Sequence, residues 1–285
     1  MSTPLPGHIG RYRPVQLVYS GQSTRLWKAY DDEQRRNVAI KMLTPLASKD
    51  RSQIAFLRRE FKIGSTLSSD KLVSAYEMNR EDGVWFLAME WFPAPSVKQL
   101  VHLGYANYAP ILPTLIPLLF EALIPLHAAG YVHCDIKPDN FLFAPEAGIR
   151  LIDYALVRKK GGFLEKFLPK GKTIAGTATY MSPEQIRKKP LDARADLYCL
   201  GGTILELFTG QPPFAGNSMN DLLQKHLSGA IPSITSKNKN VTPQFNDFVR
   251  SLLAVNPNDR PSSAADALGL LRSTRIFVKE PTFPA

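Results

Sequence analysis

The chain has 285 residues, 44% hydrophobic and 21% charged, with 18 glycines, 23 prolines and two cysteines. That composition excludes a collagen-like repeat, a coiled coil, a disordered tail and a disulfide scaffold. Thirty-five Lys and Arg against 25 Asp and Glu leave a net charge of +10, most of it between Arg150 and Pro190, where too few aromatics are interleaved for a nucleic-acid surface.

The length allows one large domain or two lobes around a cleft. Cys134 and Cys199 are too few for a staple framework, so a reducing, cytoplasmic setting is expected. The opening MSTPLPGHIGRYRP has no apolar signal core. The most apolar stretch, Ile111 to Leu126, contains Pro113, Pro117, Pro125 and Glu121, whereas a spanning helix needs roughly 20 apolar residues. It reads as a buried helix, kinked or started late, and no membrane span is expected.

In chain order, β-rich runs cover Tyr12 to Tyr19, Ser23 to Tyr30, Asn37 to Leu43, Leu72 to Asn79 and Val84 to Glu90. Arg51 to Leu67 has helical spacing, with Phe56, Ile63 and Leu67 on a similar face. After Trp91 the run FPAPS reads as a connector. A larger, mainly helical part follows, with helices near Val97 to Leu103, Ile111 to Ala129, Ala193 to Phe208, Met219 to Ser228, Thr242 to Leu253 and Ser263 to Arg272. A short strand pair is expected around Phe141 to Phe143 and Arg150 to Ile152. Ile276 to Ala285 reads as a tail.

Several runs carry chemistry. VAIK puts Lys41 at the end of a strand, and Glu60 lies 19 residues on, on the helix, where a carboxylate can hold an ammonium against a phosphate. YVHCDIKPDNFLF places Asp135, Lys137 and Asn140 on one loop: a carboxylate to orient or accept a hydroxyl proton, a cation to steady a phosphate and an amide oxygen for a metal. Asp153, in LIDYA, supplies a second carboxylate, and such oxygen donors suit Mg²⁺.

In this order, with SPE and DLYCLG after them, the motifs resemble the protein kinase family in its Ser/Thr branch, most closely the bacterial kinases of eukaryotic type. The resemblance implies a bilobal α+β fold: an N-lobe at 9–89, small, β-rich and with one main helix, a hinge at 90–95 and a larger, mainly α C-lobe at 96–275. It leaves 1–8 as an extension and 276–285 as a tail. It implies ATP with Mg²⁺, or Mn²⁺ as the alternative, and a protein substrate offering a Ser or Thr hydroxyl, with no nucleic acid.

Residue by residue, the resemblance gives Asp135, Lys137, Lys41, Glu60 and Thr177 catalytic roles, and makes Asn140 and Asp153 the metal ligands. It places Gly21, Leu26, Ala39, Lys41, Met89, Glu90, Phe92, Ser96 and Leu142 around ATP, with Met89 as gatekeeper. It pairs Glu184 with Arg260, and has Asp196 accept hydrogen bonds from the catalytic-loop backbone.

The sequence also departs from the family. Tyr19 and Thr24 stand at two of the three glycine-loop positions, leaving Gly21; DYA replaces DFG; and Cys134 replaces the arginine of HRD, making a non-RD type. Tyr154 then brings a hydroxyl that needs a partner when buried. The basic run over 158–172 reads either as a capture surface for an acidic substrate or as a solvated loop. His127 and His133 are expected to be structural, and Trp27, Trp85 and Trp91 to be core. Lys41 is expected to face solvent and contribute little packing. Alternatives are a pseudokinase acting as a nucleotide-binding scaffold and, with less support, a small-molecule phosphotransferase.

Overall fold

The computed structural model describes residues 7–162 and 178–284. The chain divides into two compact units. The first runs to Pro93 and recruits Ile152–Leu156; the second is Ala94–Leu151 together with the chain from Val157 onward. The sequence-based lobe limits miss the recruited segment, because its contacts to the first unit are with residues distant in sequence.

Unit 1 is a five-stranded antiparallel sheet: β1 (Tyr12–Ser20), β2 (Thr24–Asp31), β3 (Arg36–Leu43), β4 (Ala75–Glu81) and β5 (Val84–Glu90), in spatial order β1-β2-β3-β5-β4. Period-two alternation splits its side chains between two faces. On one, Trp27, Ala29, Val38, Ile40, Phe86 and Ala88 close over Ile9 and Tyr12. On the other, Leu43, Leu57, Ala75 and Leu87 form a second cluster with the helix α1 (Arg51–Thr66). Asp50 caps α1, its carboxylate accepting from the Ser52 amide. Register then brings functional positions together: Leu26 lies opposite Lys41, Ala39 opposite Met89, and Lys41 opposite Leu87. The strand expected to start at Leu72 starts at Ala75; Leu72 and Val73 precede it and are buried. Of the three tryptophans only Trp27 is core, at 1% exposed. Trp85 and Trp91 are half-buried, and each lies under a cation, Arg58 and Lys28 respectively.

Unit 2 is mainly helical. Its central helix, Ala193–Thr209, is buried from Ala195 to Phe208 and ends on Gly210, which adopts the left-handed conformation that suits a glycine there. The Leu112–Ala128 helix continues through Pro117 and Pro125. Burial of Leu115, Ile116, Leu119, Phe120 and Leu123 outweighs the backbone hydrogen bonds those prolines lose. By length and composition alone the stretch Tyr105–Ala128 could cross a bilayer; in the fold half of its apolar window is buried inside the protein. A hairpin joins Phe141–Ala144 to Gly148–Leu151, and Tyr131–Val132 pairs with Arg158–Lys159.

The expected tail is instead docked. The Ile276 carbonyl accepts from Thr242, Val278 donates to Asn240, and Phe277 is fully buried against Phe208. Short helices at Tyr105–Tyr108, Pro183–Ile186 and Ile234–Lys237 were not expected; each spans about one turn, too little for helical periodicity to register.

Candidate active site

In unit 1, Lys41 leaves the sheet toward α1. Its Nζ lies 2.7 Å from Glu60 Oε2 and 3.2 Å from Asp153 Oδ1. The lysine side chain is only 20% exposed and that of Glu60 5%, so Lys41 is a paired, largely buried cation and not the solvent-facing residue expected from sequence. Burial works against the charge on Lys41, but the carboxylates of Asp153 and Glu60 prevail and hold its pKa above the ordinary lysine value. Burial pushes Glu60 up to about 7, with Lys41 pulling the other way and Asp153 adding to the rise.

A pH dependence follows from Glu60. The unfolded chain sheds its proton near 4.5 and the folded chain near 7, so stability contributed by the protonated form is present below 4.5 and drains away as pH rises through 7. One such group gives a slope of up to about 1.4 kcal/mol per pH unit. Denaturant titrations from pH 4.5 to 8 are expected to show this decline in the native protein and its loss in Glu60→Gln.

The DYA segment is fastened to unit 1 at each residue. Asp153 takes a positive φ of 65°, a conformation costing about 1–3 kcal/mol outside glycine and held here by its bond to Lys41. The Tyr154 hydroxyl donates to the Val73 carbonyl at 3.1 Å, so the buried phenol has its partner. The Ala155 carbonyl accepts from Arg59 Nη1 at 2.8 Å. Arg59 was not singled out in the sequence; its position next to Glu60 on α1 was the available signal.

The β1–β2 connection is a tight turn in which the Gly21 amide donates to Thr24. Tyr19 lies 58% exposed with its ring folded over Gly21, and a Cβ there would come within 2.6 Å of the tyrosine hydroxyl. A side chain at Gly21 would meet only the exposed ring of Tyr19, which is free to move aside.

In unit 2 the catalytic-loop residues lie together. Lys137 Nζ is 2.7 Å from Asp135 Oδ2, and Asn140 Nδ2 donates to the Asp135 carbonyl at 2.7 Å and to its carboxylate at 3.1 Å. Both amide hydrogens of Asn140 are thus spent on Asp135, and its carbonyl oxygen is what the side chain has left for a hard cation. Asp153 in unit 1 offers a carboxylate of the same hard character, so both proposed ligands fit Mg²⁺ chemically. Among the described residues no group of three or more His, Cys, Asp or Glu forms a preformed metal cluster; Mg²⁺ characteristically completes its shell with water and phosphate oxygens.

Asp196, fully buried, accepts from the His133 amide at 2.7 Å and the Cys134 amide at 2.9 Å, and its Oδ2 also lies 2.8 Å from His127 Nε2. Cys134 has a positive φ of 67° and directs its thiol to the Val132 carbonyl at 3.4 Å. Burial raises the thiol pKa well above the ordinary value, with Asp196 adding to it, so Cys134 stays an unreactive thiol. Glu184 and Arg260 make a two-pronged pair at 2.7 and 2.9 Å.

Residues 12–270 match the family model described as the protein kinase domain. The chain belongs to the protein kinase family. Among its relatives the kinase is 30% identical over 275 residues to the serine/threonine-protein kinase PknL of Mycobacterium tuberculosis, covering 96% of this chain and 67% of PknL. It is 28% identical to PknB of Mycolicibacterium smegmatis over 98% of this chain and 45% of PknB. PrkC of Bacillus subtilis is 27% identical over 90% of this chain and 39% of PrkC. The five-stranded sheet of unit 1 and the helices of unit 2 are the mixed α+β architecture the resemblance implied.

The remaining expected positions of the kinase fall as follows. Met89 and Glu90 end β5, with the Glu90 carboxylate accepting from the Ser74 amide; Phe92 follows and is buried. Ser96 caps the Val97–His102 helix and bridges to Leu142. Thr177 and most of the basic run lie outside the described residues. Sequence reasoning passed over Gln185, which is buried and donates to the Cys134 carbonyl at 2.8 Å. The capping box of Ser182 and Gln185 was the legible signal, since S-x-x-Q before a helix marks that pair.

Proposed function

We propose that this kinase transfers the terminal phosphate of ATP to serine or threonine hydroxyls on a protein, supported by Mg²⁺ or Mn²⁺. The observation that carries the reading is Lys41 held between Glu60 and Asp153. That arrangement fixes an ammonium for phosphate oxygens, and keeps a metal-type carboxylate beside it. Asp135 orients the incoming hydroxyl and receives its proton, while Lys137, already bonded to Asp135, balances charge as the phosphoryl group moves. Asp153 and Asn140 are the oxygen donors the chain would offer a divalent cation, which when bound would neutralise phosphate charge.

The finer features belong to the same reading. Cys134 supplies no cation to receive a loop phosphate, so we propose activity that does not rely on phosphorylation of the activation segment. Tyr19 and Thr24 reshape the nucleotide lid, weakening ATP binding without abolishing it, and the fastened DYA segment holds Asp153 toward Lys41. The test is transfer of labelled γ-phosphate to a generic basic protein, before and after phosphatase treatment, beside Asp135→Asn. Transfer that survives phosphatase and falls by about 10²–10⁴-fold in Asp135→Asn is expected. Equal, background counts from both proteins would instead identify a pseudokinase scaffold.

A further inference from the structure

Helix α1 carries a glycine near its end that its own backbone does not need. Gly64 is buried and does not take a positive φ, and glycine in a helix costs more conformational entropy than alanine. What it provides is proximity. A Cβ at position 64 would lie 2.8 Å from Ala75 Cβ, 3.1 Å from the Ala75 amide nitrogen and 3.3 Å from the Val73 carbonyl oxygen. Two of those atoms belong to the backbone and do not swing aside, so an added methyl group pushes α1 away from the chain entering β4.

That entry is a fixed point. Ser74 is bonded twice to Glu90 at the end of β5: its carbonyl accepts from the Glu90 amide at 2.8 Å, and its amide donates to the Glu90 carboxylate at 3.3 Å. The neighbouring Val73 carbonyl accepts the hydroxyl of Tyr154, whose side chain is buried. The Tyr154–Leu156 turn packs on α1, so displacing the helix draws the turn away from Val73 as well.

One residue after Tyr154, the Ala155 carbonyl accepts from Arg59 on α1. Arg59 adjoins Glu60, the partner of Lys41. Asp153 is therefore followed by two consecutive residues, each anchored to unit 1 by a polar side chain. Phenylalanine at 154 would pack a similar ring but offer Val73 no donor, and glycine at 155 would let the peptide turn more freely. Both departures from DFG act in one direction, toward a segment that stays in place.

We propose that Tyr154 and Arg59 are positioning residues that hold the Asp153 carboxylate on Lys41, and that Gly64 lets α1 approach closely enough for the Tyr154 bond to form. The latch rests on the proposed phosphate-transfer role, for which it presets Asp153 without a phosphate on the activation segment.

The test is hydrogen exchange read by mass spectrometry on the nucleotide-free full chain, beside steady-state phosphate transfer. Tyr154→Phe removes only a hydroxyl and should speed exchange of the peptide covering 152–156 about fivefold; Arg59→Ala removes a charged donor and should speed it about tenfold. Exchange in β1–β3 should stay native, which separates loss of the latch from general loosening. Arg59→Lys keeps a cationic donor and should recover part of the native rate. Gly64→Ala and Tyr154→Phe act on the same bond, so together they should exchange no faster than the faster single variant, whereas Tyr154→Phe and Arg59→Ala should multiply. Losing both bonds should lower kcat about tenfold with KM for the protein substrate unchanged. Native exchange at 152–156 in both single variants, faster exchange spread over β1–β3, or native kcat in the double variant would overturn the proposal. If native transfer does not exceed that of Asp135→Asn, the kinase reading fails, and exchange, which needs no catalysis, still decides the latch.

Discussion

Lys41→Met is expected to lower phosphate transfer by about 10²–10³-fold, the usual loss when one preorganised charge at a reacting group is removed. The same substitution is also expected to destabilise the fold, contrary to what a solvent-facing lysine would predict. Glu60 is 5% exposed on its side chain, and Lys41 is its cation at 2.7 Å. Without Lys41 the buried Glu60 loses the cation that draws its pKa down, so it is left as an unpaired carboxylate next to Asp153 or takes up a proton at a higher pH than in the native protein, and breaking a buried pair in this way costs about 3–5 kcal/mol. As pH falls Glu60 takes up a proton and the penalty shrinks. Chemical denaturation at pH 6 and pH 8, beside a phosphate-transfer assay, reads both effects. A variant as stable as the native protein at pH 8 would show that the ammonium does not neutralise Glu60.

Arg260→Ala is the largest purely structural effect expected, at about 3–5 kcal/mol. The Arg260 side chain is fully buried, forks onto Glu184, donates to the carbonyls of Ala254 and Arg194, and lies with its guanidinium 4.9 Å from the centre of the Tyr198 ring. Its removal leaves the buried Glu184 without its cation and takes a donor from the carbonyls of Ala254, Arg194 and Val255. The melting temperature should fall on the order of 10 °C. Arg260→Lys should restore little of the loss, because a single ammonium cannot reproduce the fork. A fall of only a degree or two would mean that Glu184 finds water.

The strands of unit 1 were legible because alternation and β-branched runs report a half-buried sheet, and β5 begins and ends where the pattern places it. The Leu112–Ala128 helix was legible as one buried helix over Ile111 to Ala129 in spite of its prolines, because its run of apolar residues is long enough to mark packing that overrides local propensity. Phe277 was read as tail because two nearby prolines signal irregular chain, while its aromatic partner Phe208 lies far back in sequence. At the site, residue types and order identified Lys41, Glu60, Asp135 and Asn140 as candidates. The Arg59 and Val73 fastenings of the DYA segment involve an ordinary surface-type residue and a backbone carbonyl, which no motif marks.

By itself the sequence determined the kinase lineage, the alternation that builds the sheet, and which charged groups are present, since these depend on residue identity and short-range spacing. Tertiary structure alone decided that Lys41 is shared by two carboxylates, that residues 152–156 join the first unit, and that His127 shares Asp196 with the His133 and Cys134 amides. Each depends on burial and on partners distant in the chain, and desolvation and hydrogen-bond geometry exist only after the chain has folded.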